Sequence, residues 1–491
     1  MNHTNTQNIL ELDLSNNSEL TEIGQYSFFE GDFGCFIKTK NSSSFNEVLS
    51  DGFLEITDMV DNIYIYESIF KNFITAEISI IDRYDIISKL DITGNEFVKI
   101  KFGTKGSEYP IDMILVLSKI KNKNEFNPQF TKYTFSLISE GFLKNQRTKI
   151  SKTYTGSFSS MVESIFLDDE LGFPISDTLF LEDTVSSKNR LIIPNISPVD
   201  AINMIASFSV GEMYDNATYL FFQTTKQYQF RSTASIINAI GSSKNFLKFG
   251  HAFTVKKEIP KLSSISEKMM NISEFEMLND FDILKSTSIG SLGSKLIEHD
   301  IYRKAIYTRE FEVLRDKYGG SDKYINLNEN YIYPQGSVAK DNKDLSSFIN
   351  SYINVVSSAR ADQYADNIGQ ESERTQFDKL PYDETILNRN SELTSLMINR
   401  AKIKIPGISG LQPGDIIKIA KSVFINNEHV EDKKLSGLWI IESISHQVGE
   451  KYFCIMYIIR DSYDKEYSDS YTFENISVES DPRITDTDSV N

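Results

Sequence analysis

The sequence predicts an α+β fold that is mainly antiparallel β. Apolar residues alternate with polar ones along two separate parts of the chain, and between these parts the apolar spacing changes to that of helices. The length of 491 residues fits about three domains. We therefore predict two antiparallel β regions, with a mainly helical domain inserted after the first and a mixed domain inserted within the second.

The first β region is predicted at residues 25–142. Its alternation is clearest where Ile74, Ala76, Ile78 and Ile80 are separated by polar residues, and it recurs at 98–102, 111–117 and 133–137. Gly94-Asn95 is typical of a tight turn before one of these strands. Half-buried strands at this spacing indicate an antiparallel sheet or barrel.

The inserted helical domain is predicted at residues 143–216. One helix face is formed by Phe158, Met161, Val162, Ile165 and Phe166. A second helix is predicted to begin at Ser197-Pro198-Val199-Asp200, because Ser197 can cap the free amides, Pro198 suits the first helical position and Asp200 can answer as a capping-box acid.

The second β region is predicted at residues 217–262 and 396–464. Residues 263–395 interrupt it as a mixed domain, in which the spacing of Leu345, Phe348, Ile349, Tyr352 and Val356 predicts a helix. Within the later strands, Trp439 alternates with Ile441 and is predicted to be buried.

The composition excludes several classes of protein. The net charge of −18 is a poor match for a sequence-reading DNA-binding protein, which needs cationic surface. Residues 1–24 are predicted to be a flexible acidic arm and 465–491 an acidic tail. The two cysteines, Cys35 and Cys454, exclude a disulfide framework and are interpreted as core residues. No run of 18 apolar residues is present, so we predict no membrane insertion.

The sequence contains no recognisable catalytic or nucleotide-binding motif. The phosphate loop, the HExxH helix, the GxSxG elbow and the GxGxxG turn are all missing. His299-Asp300 lie next to each other on a predicted strand and so point to opposite faces, and His446 is interpreted as a structural strand residue. We predict no enzyme activity, no catalytic residue, no cofactor and no metal site.

Six stretches follow one another in a characteristic order over about 400 residues. They are 73–82 with 94–96, 139–140 with 147–156, 193–203, 222–232, 281–300, and 405–407 with 413–415, 435–437 and 444–446. In this order they resemble the baseplate hub proteins of contractile-tailed bacteriophages, which are relatives of tail-tube proteins. The resemblance implies that both β regions are tail-tube-like β-barrels.

The resemblance implies a structural virion protein of the tail baseplate, assembled in the bacterial host cytoplasm. Such a hub is a homotrimer that links the tail tube protein to the central spike protein, contacts the baseplate wedge proteins, and passes DNA or the tape-measure protein through its lumen without sequence-specific binding. The positions that match the family motifs are interpreted as structural: Tyr154, Gly156, Pro194, Asn195, Ser197, Pro198, Gly414, Asp415 and His446.

Three alternatives stay open at this point. The chain is also consistent with the hub of a phage-derived contractile injection system, such as a tailocin or a secretion spike. A peptidoglycan hydrolase that uses a pair of acidic residues lacks a motif here. A glycan-binding tail protein would use exposed aromatic residues, but aromatic residues at strand spacing are more often part of a core.

Overall fold

A computed structural model describes residues 33–39, 52–104, 110–127, 130–168, 173, 178–186, 189–214, 216–238, 247–251, 271–279, 282–301, 304–317, 327–328, 330–331, 344–358, 380–425, 428–432 and 434–463. The predicted arm at 1–24 and tail at 465–491 lie outside the described residues. The described chain is mainly antiparallel β with short helices, which confirms the predicted α+β class.

The strands, in chain order, are β1 Gly34–Lys38, β2 Leu54–Glu55, β3 Val60–Ser68, β4 Thr75–Asp82, β5 Phe97–Phe102, β6 Ile111–Asn127, β7 Phe130–Ser139, β8 Thr153–Gly156, β9 Leu179–Leu181, β10 Asn189–Ile192, β11 Tyr219–Gln223, β12 Tyr228–Ser232, β13 Leu247–His251, β14 Glu274–Asn279, β15 Gly293–Asp300, β16 Ala305–Glu312, β17 Asn330–Tyr331, β18 Ile353–Ser358, β19 Asn399–Pro406, β20 Ile416–Ile425, β21 Glu428–Glu431, β22 Gly437–Val448, β23 Tyr452–Arg460 and β24 Ser462–Tyr463. The α-helices are α1 Ile86–Lys89, α2 Glu140–Arg147, α3 Phe158–Phe166, α4 Pro198–Ala206, α5 Thr233–Asn238, α6 Ile283–Ser288 and α7 Arg389–Leu396.

One large sheet joins the two predicted β regions. Its strand order is β14-β19-β23-β22-β3-β4-β7-β6-β5-β1-β2, and β20 pairs with β22 and carries β13 and β21. Among the described strands this order ends at β14 and at β2, so these strands close no barrel. The two predicted barrels are therefore not separate sheets in the described part of the chain.

The junction between the two regions lies on β22. One edge of this strand pairs first with β20, over 437–440, and then with β3, over 443–448. A bulge between Ile441 and Ser443 marks the change of partner. At this bulge Ile69 donates its backbone N–H to the carbonyl of Glu442 at 3.0 Å. A bulge bends its strand, which allows one strand to serve both parts of the sheet.

A single apolar core lies against one face of this sheet and spans both regions. Its side chains come from alternate positions, such as Ile63 and Ile65 on β3, Phe135 on β7, and Ile403 and Met456 on β19 and β23. The prediction for Trp439 is confirmed, since its side chain has no exposed surface. Both cysteines are free and buried.

The first insertion has its own aromatic core. The predicted face of α3 is confirmed, because all five of its named residues are buried there. Tyr228 of β12 stacks on Phe221 of β11, with ring centres 5.7 Å apart. The prediction places the β11–β12 hairpin in the second β region, but the hairpin pairs with β9 of the insertion instead. Its aromatic side chains belong to this second core, which explains the pairing.

The second insertion contains a three-stranded sheet of order β16-β15-β18. The helix predicted from Leu345 to Val356 is wrong. Two short 3-10 turns, Leu345–Ser347 and Ile349–Ser351, are followed by β18, which pairs in parallel with β15. Apolar side chains at helical spacing also occur where a turn runs into a strand, and the pairing with β15 decides between the two conformations here.

Candidate functional site

The motif residues fall into two groups in the structure. Tyr154, Gly156, Pro194, Asn195, Ser197 and Pro198 lie in the first insertion, whereas Gly414, Asp415 and His446 lie beside or within the second β region. The groups are therefore not brought together into one site.

The first group holds the ends of strands and the start of a helix. Tyr154 on β8 pairs with Leu191 on β10 and belongs to the aromatic core. Gly156 ends β8 with a φ of +125°, and a Cβ added there would lie 2.8 Å from Oγ of Ser160. Asn195, which follows the exposed Pro194, has a φ of +53° in the left-handed region. These positions set the path of the chain between elements.

The predicted helix start at Ser197 is confirmed. The Ser197 hydroxyl accepts a hydrogen bond from the Asp200 backbone N–H at 3.3 Å, and Pro198 occupies the first position of α4. The Asp200 carboxylate accepts from the Ser197 hydroxyl at 2.5 Å, whereas the predicted capping box has it accept from the Ser197 backbone N–H. Val199 donates its backbone N–H to the Asn145 side chain at 2.9 Å. A second backbone N–H in the first turn of α4 therefore has an acceptor.

Gly414 and Asp415 form the turn that precedes β20. Gly414 has a φ of +90°, and its N–H donates to the carbonyl of Ile441 at 2.8 Å. The Asp415 carboxylate accepts from the Gln412 N–H at 3.0 Å. Burial raises the pKa of Asp415 to about 6, although Lys226, Gln412 and Arg231 act in the opposite direction.

His446 lies in a buried polar cluster with Glu67, Tyr452 and Cys454. Its Nδ1 is 2.7 Å from the Tyr452 hydroxyl and 3.4 Å from the Cys454 sulfur, and its Nε2 is 3.4 Å from Oε1 of Glu67. Burial alone lowers the pKa of His446, but Cys454 and Glu67 outweigh it and raise the pKa to about 10. The imidazole lies beside a carboxylate, and both Cys454 and Glu67 favour its protonated form.

Enzymes with a cysteine nucleophile also place a thiol, an imidazole and a carboxylate next to one another. Here the Cys454 sulfur and the His446 ring have no exposed surface. Thr225, in the β11–β12 loop, donates its backbone N–H to Glu67 at 2.8 Å from the other side. The arrangement can hold the first insertion against the central sheet, but it offers no path for a substrate.

Glu67, Tyr452 and Cys454 are not among the predicted site residues, although all three contact His446. The alternation of buried and exposed residues on β3 and β22 does indicate that Glu67 and His446 meet. Glu67 stands at the same parity as the core residues Ile63 and Ile65 on β3, and His446 at the same parity as Ile444 on β22. A charged residue at a core position needs a charged or polar partner, which predicts that the two meet.

The face of the central sheet opposite the core is half-exposed over most of its strands, although Val116, Ile440 and Ile459 are buried on it. We call it the open face. The strand register aligns one side chain from each of ten strands, β14 to β1, in a single row across it: Glu274, Lys404, Ile455, Ser445, Tyr66, Thr75, Ile138, Val116, Phe97 and Lys38. Because neighbouring strands lie about 4.8 Å apart, the row is about 40 Å long. The row therefore crosses the junction between the two β regions, although next to the bulge the same face is covered where Ile440 and Ile459 pack against Leu220.

Ion pairs between strands cover the open face. Six acidic side chains of described residues reach this face on strands β14 to β1, and each lies within 4 Å of a Lys or Arg from another strand, whereas Glu55 on β2 has no such partner among the described residues. The pairs are Lys121–Glu77 at 2.6 Å, Lys132–Asp61 at 2.7 Å, Arg400–Glu442 at 2.6 Å, Lys404–Glu274 at 3.0 Å, Lys99–Asp112 at 3.5 Å and Lys402–Glu276 at 3.6 Å. Strand alternation is enough to predict that Lys402 and Lys404 face outward, but it does not indicate their partners.

Two of these cations also lie over aromatic rings of β23. The Arg400 guanidinium is 5.1 Å from the Tyr457 ring centre, and the Lys404 amine is 4.8 Å from that of Phe453. Within the described ranges, no group of three or more His, Cys, Asp or Glu side chains is placed to hold a metal ion. None of the described helices is long and apolar enough to cross a membrane.

Comparison with known proteins gives a likeness of fold only. No family model matches the chain, and no curated protein matches it. The tail protein from Neisseria meningitidis MC58 aligns with a TM-score of 0.50 and 8% identity, over 87% of this chain and 97% of that one. The 43 kDa tail protein of prophage MuSo2 from Shewanella oneidensis aligns with a TM-score of 0.48 and 8% identity, over 88% and 100%.

A chain of the phage P2 baseplate in its activated conformation aligns with a TM-score of 0.30 and 10% identity, over 88% of this chain and 100% of that one. The conclusion about the fold rests on the alignment with the tail protein from Neisseria meningitidis. The chain therefore has a phage tail-protein fold, as expected of the hub-like protein that its sequence resembles.

Proposed function

We propose that the chain is the central hub of a phage tail baseplate, a structural and non-enzymatic virion protein. The observation that carries this proposal is the row of register-aligned side chains on the open face, which continues across both β regions. In this proposal each region, 25–142 and 217–262 with 396–464, contributes one tail-tube-like unit. Three chains then supply six such units around a channel.

The arrangement of the insertions supports the same role. The β11–β12 hairpin, which pairs with β9 of the first insertion, is joined to β3 by a hydrogen bond from the Thr225 backbone N–H to the Glu67 carboxylate. Residues of β11, α5 and α7 cover part of this face at Ile440 and Ile459, and we propose that the half-exposed remainder lines a channel. We propose that the tail tube protein continues this channel on one side and that the central spike protein closes it on the other, with the wedge proteins outside.

The oligomeric state tests the proposal. Native mass spectrometry of the full chain, alone and with the spike protein of the same tail, is expected to show a species of three times 56.0 kDa in at least the mixture. Interfaces of this kind form by mass action, so the measurement should cover a range of concentrations. A chain that stays monomeric in both samples contradicts the hub function.

A zymogram on peptidoglycan distinguishes the proposed structural hub from a peptidoglycan hydrolase. The described residues offer no open catalytic group, so the purified full chain is expected to give no clearing. Clearing that persists in a Cys454→Ser variant and disappears with substitution of an acidic pair would establish the hydrolase alternative instead.

A further inference from the structure

A cleft of about 370 Å³ lies where the first β region meets the first insertion. The turn between β3 and β4 forms one wall, and α2 and the start of α4 form the others. Five of its lining residues are relevant to binding, three aromatic and two cationic: Phe70, Phe73, Phe142, Lys71 and Lys149. We call this feature the lysine cleft. Its volume lies within the usual range of ligand sites, about 300–1,000 Å³.

Phenylalanine side chains give the lysine cleft an apolar wall. The rings of Phe73 and Phe142 have their centres 5.1 Å apart, and Phe70, which lines the same cleft, is 36% exposed. A single exposed Phe is common on a protein surface. Here the rings line a concave surface, where an aromatic group of a ligand is removed from water on several sides.

The charges of the lysine cleft favour an anionic ligand. Lys71 and Lys149 are exposed, and among the described residues no carboxylate lies within 4 Å of either amine. Asp200 also lines the cleft, but its carboxylate accepts from the Ser197 hydroxyl in the first turn of α4, where the helix dipole favours a negative charge. The cleft therefore has two cations available for the carboxylates of a ligand.

We propose that the lysine cleft binds residues 464–474 of the same chain, which follow directly on the last described residue. This segment combines four acidic residues with three aromatic ones and has a single lysine: the acidic and aromatic residues are Asp464, Glu466, Asp469, Glu474, Tyr467, Tyr471 and Phe473. Its carboxylates pair with Lys71 and Lys149, and one of its aromatic rings packs against Phe70.

The described end of the chain lies near the cleft. Ile69, which precedes the cleft residues, donates its backbone N–H to the Glu442 carbonyl on β22. Leu438 lies four residues earlier on the same strand, about 13 Å away. The Asn328 side chain joins this point to β24, since it donates to the carbonyls of Leu438 and Ser462 at 3.1 and 3.0 Å.

The segment is long enough to reach the cleft. The path from Ser462 to Ile69 measures about 20 Å, since about 13 Å along β22 and two hydrogen bonds of about 3 Å separate them. Residues 464–471 span up to about 26 Å when they are extended. An aromatic residue at the end of this stretch, Tyr471, therefore reaches the position of Phe70.

Limited proteolysis of the full chain tests the inference. Chymotrypsin cleaves after Tyr467, Tyr471 and Phe473, and mass spectrometry follows the three cleavages over time. An isotope-labelled synthetic peptide of residues 464–474 in the same sample gives the rate for the undocked segment and corrects for changes in protease activity. When docking and release are fast relative to cleavage, the ratio of the two rates reports the undocked fraction.

Reversing the two charges of the cleft should release the segment. The cleft variant Lys71→Glu/Lys149→Glu replaces both attractions by repulsions, whereas the control variant Lys285→Glu/Lys451→Glu makes the same change at exposed positions outside the cleft. We expect the wild type and the control variant to be cleaved about tenfold more slowly than the peptide at low salt, and the cleft variant at nearly the rate of the peptide.

Salt gives the same test if the cleft variant does not fold. The protection of the wild-type segment should decrease at about 1 M salt, where the Debye length is only about 3 Å. The labelled peptide in each sample separates this decrease from any effect of salt on the protease.

Two results overturn the inference. One is a wild type whose segment is cleaved as fast as the peptide, and the other is a cleft variant that is protected as well as the control variant. Protection that increases with protein concentration would also overturn docking within one chain, because it assigns the cleft to the same segment of a second copy. None of these results depends on the hub function, which the oligomeric state tests separately.

Discussion

The Arg460 guanidinium lies 4.0 Å from the centre of the Trp439 ring, and both side chains are fully buried. Arg460 also donates to the Asn399 side chain and to the Ser436 carbonyl, each at 3.0 Å. The Trp439 Nε1–H donates to the Leu435 carbonyl at 3.2 Å. This pair therefore ties β22 and β23 to the turn that precedes β22, with a charge whose donors are satisfied by backbone and amide oxygens.

Replacing Trp439 with Ala should lower the free energy of unfolding by about 3–5 kcal/mol, as large core truncations do. The reason is a cavity beside a buried cation that then lacks its aromatic partner. Urea unfolding followed by circular dichroism measures the change, since Trp439 is the sole tryptophan of the chain. Trp439→Phe keeps a ring over Arg460 and should cost less, and an equal cost for both variants would contradict this account.

The local features of the fold were predictable because they depend on neighbours in sequence. The buried Trp439 follows from strand alternation, and the start of α4 follows from Ser197 and Pro198. The joining of the two β regions was not predictable in this way. It depends on the pairing of β3 with β22, whose residues are more than 370 positions apart.

The same limit applies to the candidate surface. The sequence shows that Lys402 and Lys404 face away from the core, because they alternate with Ala401 and Ile403. It does not show that Glu276 and Glu274 lie opposite them, since this depends on the register between β19 and β14. Register between distant strands is set by which residues enter the common core.

Replacing Ser197 with Ala should destabilise the protein by about 1 kcal/mol, the usual cost of losing an N-cap side chain. The variant leaves the Asp200 N–H without its acceptor and the Asp200 carboxylate without its donor. Ser197→Thr keeps a hydroxyl at the cap and serves as the control. The shift of the urea midpoint measures the effect, and an Ala variant as stable as the Thr variant would show that the cap contributes nothing.

Replacing Gly156 with Ala should cost about 1–3 kcal/mol, the range for a residue forced into a sparsely populated conformation. Two causes act there: the φ of +125° and the contact of the new Cβ with Ser160 Oγ at 2.8 Å. Gly94→Ala is the matched control, because Gly94 has a φ of +106° and no atom lies within 4 Å of the position that its new Cβ would take.

Adding Ser160→Ala to Gly156→Ala should recover part of the loss by removing the crowded hydroxyl. Thermal unfolding of the two single variants and the double variant separates the two causes. If Gly94→Ala is as destabilising as Gly156→Ala, backbone conformation alone accounts for the cost and the crowding is irrelevant.

His446 should make stability depend on alkaline pH. Its pKa in the folded chain is raised to about 10 from the ordinary 6.5, against the effect of burial, by Cys454 and Glu67. Protonation of the imidazole therefore favours the folded state. The contribution is fully present below pH 6.5, declines above it, and is lost as the pH rises through about 10.

The difference in unfolding free energy between the wild type and His446→Gln is therefore expected to be largest at about pH 6 and to shrink steadily through about pH 8 to about pH 10. Urea unfolding at the three pH values measures it, and taking the difference between the proteins removes the titration of other groups. Glu67→Gln removes the carboxylate 3.4 Å from Nε2 and serves as the control. In that background the pH dependence of the His446→Gln effect should weaken, because the charged ring has lost its counter-charge. A difference that stays constant or grows toward alkaline pH would mean that His446 is neutral in the folded chain.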